Sequence, residues 1–327
     1  MKAIGYEKFG LAAKVLKVQE IELQKPGRQE VVIKLKYSGV NPSDAKARAG
    51  NRPGVSKPEY DLVIPHSDGS GVIKEVGSGL DQSLIGKRVW VRNGQWKRPY
   101  GTAAEYITIP LENTIEMPSK MTFQEGATMG IPGLTAAHGV FGSGEVIGQT
   151  LLISGGGGAV GHLAVQLAKW GGAKVIATGS KNSARSILKY GADYFFDYSS
   201  DNLPTQISKI APEGVDRVIE VEFGLNLNWI HQILKPNSTL AVYGSAKEMN
   251  PLIPFGLYLF KAIKIDFFLI YILPSKEREI AINYLHLAYE QKALVPKIDS
   301  IFKLEACYQA HDRTLTKGRE GAVLLEI

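Results

Sequence analysis

The residues best suited to chemistry form a glycine run between an apolar stretch and a helical pattern. Leu151-Leu152-Ile153-Ser154 leads into Gly155-Gly156-Gly157-Gly158-Ala159-Val160-Gly161, after which Leu163, Ala164, Leu167 and Ala168 recur at helical spacing. Gly156-x-Gly158-x-x-Gly161 fits the Gly-x-Gly-x-x-Gly pattern, and Gly155-x-x-Gly158-x-x-Gly161 offers a second register. A glycine turn between a strand and a helix lets the backbone approach a pyrophosphate, and its last glycine lets helix and strand pack closely. The helix start then offers unpaired N–H groups and a partial positive charge to phosphate oxygens. A dinucleotide is the expected ligand.

The next strand selects among dinucleotides. It ends Ala177-Thr178-Gly179-Ser180-Lys181, with Arg185 just beyond. NAD sites place an acid roughly twenty residues after the turn to accept from the ribose 2′-hydroxyl. No Asp or Glu occurs between Glu145 and Asp193, whereas Lys169, Lys174, Lys181, Arg185 and Lys189 do. Lys181 or Arg185 can pair with a 2′-phosphate through charge-assisted hydrogen bonds. The expected cofactor is therefore NADPH rather than NADH.

Metal chemistry is not expected. His66, His138, His162, His231, His286 and His311 share no short ligand spacing, and Cys307 is the only cysteine. A catalytic zinc needs three protein ligands, and a Cys-rich structural lobe is impossible. Cys307 lies in an amphipathic pattern, Leu304-Glu305-Ala306-Cys307-Tyr308-Gln309-Ala310, and reads as a packed small hydrophobe. No nucleophile elbow is present.

The elements that must hold these residues follow from periodicity. Residues 1–110 read mostly as strands: Lys14–Leu23, Val31–Tyr37, Val72–Val76, Val89–Arg92 and Ala103–Ile109, punctuated by turns such as Asn41-Pro42 and Arg52-Pro53-Gly54. A helix opens at Thr122 with Glu125 in a capping box. After the glycine turn, strands at Lys174–Thr178, Tyr194–Phe196, Val215–Ile219 and Thr239–Tyr243 alternate with helices at Ser183–Lys189, Leu203–Ile210 and Asn226–Leu234. Such alternation implies a parallel, doubly wound sheet. A strand near Ile265–Tyr271, a helix over Lys276–Gln291 and a terminal strand Ala322–Ile327 complete the chain. The fold class is α/β, divided as 1–123, 124–264 and 265–327, the last segment returning to the first region.

The 327 residues are 44% hydrophobic and 21% charged, as in ordinary globular proteins, and the net charge of +6 is mild. It favours anionic ligands without demanding nucleic acid. The basic residues Lys34, Lys36, Lys87, Arg88, Arg92, Lys97 and Arg98 are interleaved with few aromatics, Trp90 and Trp96 excepted. The N-terminal residues lack a signal peptide's apolar core, so a cytoplasmic location is expected. Leu252–Leu273 is interrupted by Pro254, Gly256, Lys261, Lys264 and Asp266. It therefore reads as a core helix followed by a buried strand rather than a membrane span.

Several motifs carry a resemblance. Gly39-Val40-Asn41-Pro42-Ser43-Asp44, Ile64-Pro65-His66-Ser67-Asp68-Gly69-Ser70-Gly71, Asn93-Gly94-Gln95-Trp96, Gly101-Thr102-Ala103-Ala104-Glu105-Tyr106 and Ile131-Pro132-Gly133-Leu134-Thr135-Ala136 are similar to the zinc-free, zeta-crystallin-like quinone oxidoreductases. These form a branch of the medium-chain dehydrogenase/reductase superfamily, and the resemblance spans essentially the whole chain. Zinc-dependent members carry Cys where Pro42-Ser43-Asp44 stands and His where Ser67 stands. The resemblance implies a GroES-like β-rich catalytic domain, a Rossmann domain, an active site between them, and a homodimer joined through edge strands near Ile265–Tyr271.

Carried over by position, Gly157, Gly158, Ala159 and Val160 match the phosphate turn, and Ser180 and Lys181 the 2′-phosphate site. Tyr198 matches an adenosine contact. Gly244, Ser245, Phe268, Leu269 and Ile270 match residues near the nicotinamide. Asn41 and Thr135 are the candidates for polar groups beside the nicotinamide and the substrate carbonyl; Asn41 before Pro42 also suits a turn. Lys46 stands where the family often has Tyr in the substrate wall, and Gly157-Gly158-Ala159 where relatives commonly have Ser-Gly-Gly. The implied reaction is hydride transfer from NADPH to a quinone. The alternatives are reduction of an enone or alkenal double bond, and an RNA-binding or structural role with NADPH as ligand.

Overall fold

The computed structural model describes residues 1–51 and 54–327, so the turn read at Arg52-Pro53 lies outside the described residues. Two compact units emerge: Met1–Ile131 with Pro296–Ile327, and Pro132–Val295. The division falls at Ile131/Pro132 rather than 123/124, and residues 265–295 stay with the second unit. Their strand and helix explain why. Lys264–Phe267 pairs parallel with Leu234–Val242, and helix Ser275–Glu290 stacks Tyr284 on Phe141 at 4.1 Å between ring centroids.

The second unit is a six-stranded parallel sheet. Its spatial order is Tyr194–Asp197, Lys174–Gly179, Thr150–Ile153, Val215–Glu220, Leu234–Val242 and Lys264–Phe267. The order in which strands are added reverses beside Thr150–Ile153, and ligands of open α/β sheets bind at that switch point, outside the carboxyl ends of the strands. Thr150–Ile153 and Val215–Glu220 are almost wholly buried, as parallel strands covered on both faces must be. Leu203–Ile210 is helical as expected, and the neighbouring helices are Ala184–Lys189 and Phe223–Ile233.

The first unit is built on Glu30–Val40, which pairs antiparallel with Asp68–Val76, Tyr106–Pro110 and the C-terminal Ala322–Glu326. Alternating Val31, Ile33 and Leu35 enter one core with Ile73, Val89, Val91, Ile107 and Ile109. The Thr122/Glu125 capping box is present, and its helix runs Phe123–Gly126.

Four expectations need correction. Lys14–Leu23 is not one strand: Ala12–Val15 is helical and only Lys17–Glu20 pairs, with Lys2–Gly5. The strand expected at Ile265–Tyr271 stops at Phe267 and gives way to a 3-10 turn at Ile270–Ile272. Leu252–Leu273 is no core helix: helix Phe255–Leu259 buries only Tyr258, while Leu252 and Phe260 are 91% and 90% exposed. Asn41-Pro42, expected as a turn between strands, instead opens helix Pro42–Ala49, which shows no strong apolar stripe in sequence. It forms because Asn41 and Asp44 cap it and Pro42 pre-sets its first turn.

Candidate functional site

The glycine turn is built by close approach. Gly155 adopts a left-handed φ of 73°. Gly156 N–H donates to Thr178 O at 2.7 Å, which ties the turn to the neighbouring strand. A Cβ on Gly157 would lie 2.8 Å from Ser183 Cβ, so only glycine lets the turn lie against the Ser180–Ser183 loop. Gly158 is the N-cap of helix Ala159–Trp170 and supplies no side-chain acceptor. The first-turn N–H groups around Ala159, Val160 and Gly161 are thus suited to an anion.

The loop beyond the next strand is basic and open. Ser183 Oγ donates to Ser180 O at 2.7 Å and closes the turn that carries Lys181. Lys181 and Arg185 are exposed, Arg185 on helix Ala184–Lys189. Tyr198 N–H donates to Gly179 O at 3.2 Å, and its ring is 57% exposed. Sequence reading missed Asp197, which pairs in register with Gly179 on the adjacent strand. Its Oδ1 accepts from Ser199 N and Oγ at 2.9 and 2.7 Å, and these bonds hold the carboxyl below its ordinary range, Lys181 adding a smaller effect. Only pairing of the two strands brings this acid to the end of the basic loop.

A cavity of about 510 Å³ opens at the end of Leu234–Val242, lined by Tyr243, Gly244, Ser245, Phe268 and Leu269 among others. It therefore gathers the expected Gly244, Ser245, Phe268 and Leu269; Ile270 is buried instead and does not line it. Phe268 N–H donates to Val242 O at 3.1 Å. Ser245 Oγ accepts from Gly224 N–H at 2.9 Å and donates to Glu248 O, so its hydroxyl shapes the loop.

Beneath the glycine turn lies a second residue that sequence reading missed. Glu220 ends its strand fully buried, and its Oε1 accepts from Ser154 Oγ at 3.2 Å and Asn226 Nδ2 at 2.9 Å. Oε2 has no partner. Burial pushes the carboxyl up to about 7 against those hydrogen bonds, which work to lower it. An acid closing an apolar strand was the only signal in the sequence.

In the first unit, Asn41 is buried and donates from Nδ2 to Asp68 Oδ2 at 2.8 Å. Asp68 Oδ1 accepts from Ile131 N–H at 2.9 Å. Asp68 is wholly buried, and desolvation, helped by the Asp44 charge, raises it well above the usual carboxylate range. Asn41 N–H donates to Asp44 Oδ2 at 2.7 Å. Asn41 thus serves as a helix cap and holds a fixed amide as well. Lys46 is half-buried on the same helix. Thr135, in the other unit, is buried on helix Leu134–Phe141, entered through a π turn at Met129–Gly133.

Four of the first unit's basic residues are tied to its own framework, while Lys34 and Lys36 are exposed. Arg88 donates to Ser119 O and Met121 O, Arg92 to Glu112 O, and Arg98 to Thr108 O. Lys87 pairs with Glu116 at 2.6 Å, and Trp90 is fully buried. Ser43 and Ser67 offer neither thiolate nor imidazole. Elsewhere in this unit, however, the fold gathers His66, Cys307 and His311, which sequence spacing had kept apart.

Comparison with known proteins agrees with this architecture. The alcohol dehydrogenase GroES-like domain family matches residues 27–119, and the zinc-binding dehydrogenase family matches residues 159–285. The quinone oxidoreductase of Lama guanicoe is 30% identical, over 99% of this chain and 97% of its own. A solved NAD-dependent alcohol dehydrogenase aligns with a TM-score of 0.89 at 24% identity, each chain fully covered. The Escherichia coli quinone oxidoreductase complexed with NADPH aligns at 0.88 with 22% identity, again over the whole of both chains. These two likenesses show the fold. With its glycine turn, its two units and a similarity that runs nearly end to end, the chain belongs to the zinc-independent quinone oxidoreductase family of the medium-chain dehydrogenases/reductases.

Proposed function

We propose that the protein is an NADPH-dependent quinone oxidoreductase whose hydride transfer uses no metal and that works as a homodimer in the cytoplasm. The observation that carries the cofactor assignment is the packing of Gly157 on Ser183, which sets the exposed Lys181 loop beside the pyrophosphate turn. The residues present fit such a ligand. A side chain at Gly157 would push the Ser180–Ser183 loop away from the turn, the helix start lacks a side-chain cap, and the loop carries a cation. The Escherichia coli relative was solved with NADPH, and the Lama guanicoe relative is a quinone oxidoreductase.

Bound NADPH supplies the hydride, so the chain must orient the nicotinamide and the acceptor and exclude water. Ser180 and Lys181 hold the 2′-phosphate, with Arg185 adding positive charge. The backbone around Gly244 and Phe268 walls the nicotinamide, where Gly244 is required because a Cβ would lie 2.7 Å from Val221 O. Asn41, oriented by Asp68, donates to the acceptor oxygen as negative charge builds there. A hydroquinone oxygen takes its proton from water, so no buried acid is needed at that atom.

The homodimer is supported by the uncovered sheet edge. Lys264–Phe267 is the last strand of its sheet, and Phe267, Leu269 and Ile272 are 62%, 48% and 63% exposed. An apolar edge of this kind invites strand pairing with a second chain. Nucleic acid is disfavoured because Arg88, Arg92 and Arg98 are already bonded to main-chain carbonyls. Among the described residues no helix is long and apolar enough to cross a membrane.

Fluorescence titration with NADPH and NADH, followed by turnover with 1,2-naphthoquinone and with a simple enone, tests the reading. NADPH should bind more tightly and the quinone should be reduced. Equal binding of both cofactors would remove the Lys181 argument. Oxidation by the enone alone would reassign the acceptor, and oxidation by neither would remove the enzymatic reading.

A further inference from the structure

We propose that His66, His311 and Cys307 form a buried site for a soft monovalent metal ion, copper(I) in particular, that ties helix Cys307–Leu315 to the segment leading into strand Asp68–Val76. The three residues are 0%, 0% and 1% exposed. His66 Nε2 lies 2.9 Å from His311 Nε2 and 3.9 Å from Cys307 Sγ, across 245 and 241 positions of sequence. A trigonal ion with metal–nitrogen bonds of about 2.0 Å and a metal–sulfur bond of about 2.3 Å spaces its donors roughly 3.5–3.8 Å apart. The sulfur is already near that spacing. The two rings must part by roughly half an ångström, as they would when an ion replaces the hydrogen bond between them.

The hydroxyl chain behind His66 fixes its tautomer. Thr102 Oγ1 donates to Asp68 O at 2.5 Å and so accepts from Ser38 Oγ at 2.8 Å. Ser38, its proton thus committed, accepts from His66 Nδ1–H at 2.9 Å. The Nε2 lone pair of His66 is therefore turned toward His311 and Cys307. A metal-bound histidine is oriented by its other nitrogen in the same way. His311 must then donate from Nε2, which leaves Nδ1 as a buried atom with no partner. Metal binding moves that proton to Nδ1 and frees the second lone pair.

Backbone geometry points to the same place. His66 holds a left-handed φ of 77°, which ordinarily suits glycine. Such a strained position persists only where its surroundings over-determine it.

Charge and donor type choose the metal. Thiolate and imidazole donors suit copper(I) and zinc. Zinc prefers four ligands, whereas three donors, one of them a thiolate, give copper(I) a neutral site. Neutrality matters because the site is wholly buried, with the Arg48 cation beside His311 and with Cys307 lying between the opposing charges of Asp44 and Arg48. On binding, the Cys307 thiol releases its proton to solvent and sulfur takes the ion, with no change of oxidation state. Complete burial means that loading accompanies folding.

The test is anaerobic refolding of the full chain with copper(I), followed by competition with bathocuproine disulfonate. One retained equivalent is expected, with X-ray absorption showing one sulfur and two nitrogen neighbours. Cys307→Ser and His311→Gln should lose it, and Ser38→Ala should weaken retention by about ten-fold. His66→Gly, which suits the backbone, guards against misfolding and should fold without retaining copper. No retention by the wild type, retention unchanged in Cys307→Ser, or retention of zinc but not copper would overturn the proposal.

Discussion

A Cβ added to Gly161 would lie 2.2 Å from the carbonyl oxygen of Gly155. The helix that follows the glycine turn therefore touches the turn through backbone alone. Gly161→Ala must push the two apart. A loss of 1–3 kcal/mol, about the usual cost of overpacking, is expected in chemical unfolding. NADPH affinity should fall in parallel, because the same shift displaces the N–H groups of Ala159 and Val160.

On the proposed reading, Lys181 and Asp197 should affect NADPH binding with opposite signs. Lys181→Ala should weaken NADPH by about ten-fold, or 1.4 kcal/mol, while leaving NADH nearly unchanged. Asp197→Asn should instead tighten NADPH, since it removes a carboxylate near the same loop. Fluorescence titration of both cofactors against both variants checks this. Equal losses for NADPH and NADH in Lys181→Ala would mean that Lys181 does not read the 2′-phosphate.

Glu220 sets a pH dependence of stability. Its carboxyl titrates near 7 in the fold against an ordinary value of 4.5. Between these values the unfolded chain has released a proton that the folded chain keeps, so stability falls as pH rises from about 4.5 to 7. The gap corresponds to about 3 kcal/mol. Glu220→Gln should remove this slope and stabilise the protein at pH 8, as read from urea midpoints at several pH values.

Asn41 is predicted to matter to turnover rather than to cofactor binding. Asn41→Ala leaves Asp68 without its amide partner and removes the donor to the acceptor oxygen. A fall in kcat/KM of about 10²-fold, with NADPH affinity unchanged, is expected. A change confined to thermal stability would make Asn41 a helix cap only.

Phe267→Lys on the exposed edge strand should give a monomer by light scattering. An unchanged molecular mass would place any interface elsewhere.

Much of this was legible in the residues because it depends on local pattern. The glycine spacing, the absence of acids from Glu145 to Asp193 and the strand–helix alternation all lie within short windows of chain. Helix Leu203–Ile210 was readable for the same reason, having a strong apolar stripe. Helix Pro42–Ala49 was not, since caps rather than periodicity hold it. Leu252–Leu273 misled because hydrophobicity cannot tell a core from a surface.

Sequence alone determined the fold class, the glycine turn and the basic loop after the next strand, since each is written in neighbouring residues. Tertiary structure decided what distance along the chain conceals. Strand pairing set Asp197 opposite Gly179, and burial beneath the turn lifted the Glu220 carboxyl. The return of helix Cys307–Leu315 brought Cys307 and His311 to His66. Charge, protonation and metal affinity depend on what surrounds a side chain in space, and folding supplies those neighbours from hundreds of residues away.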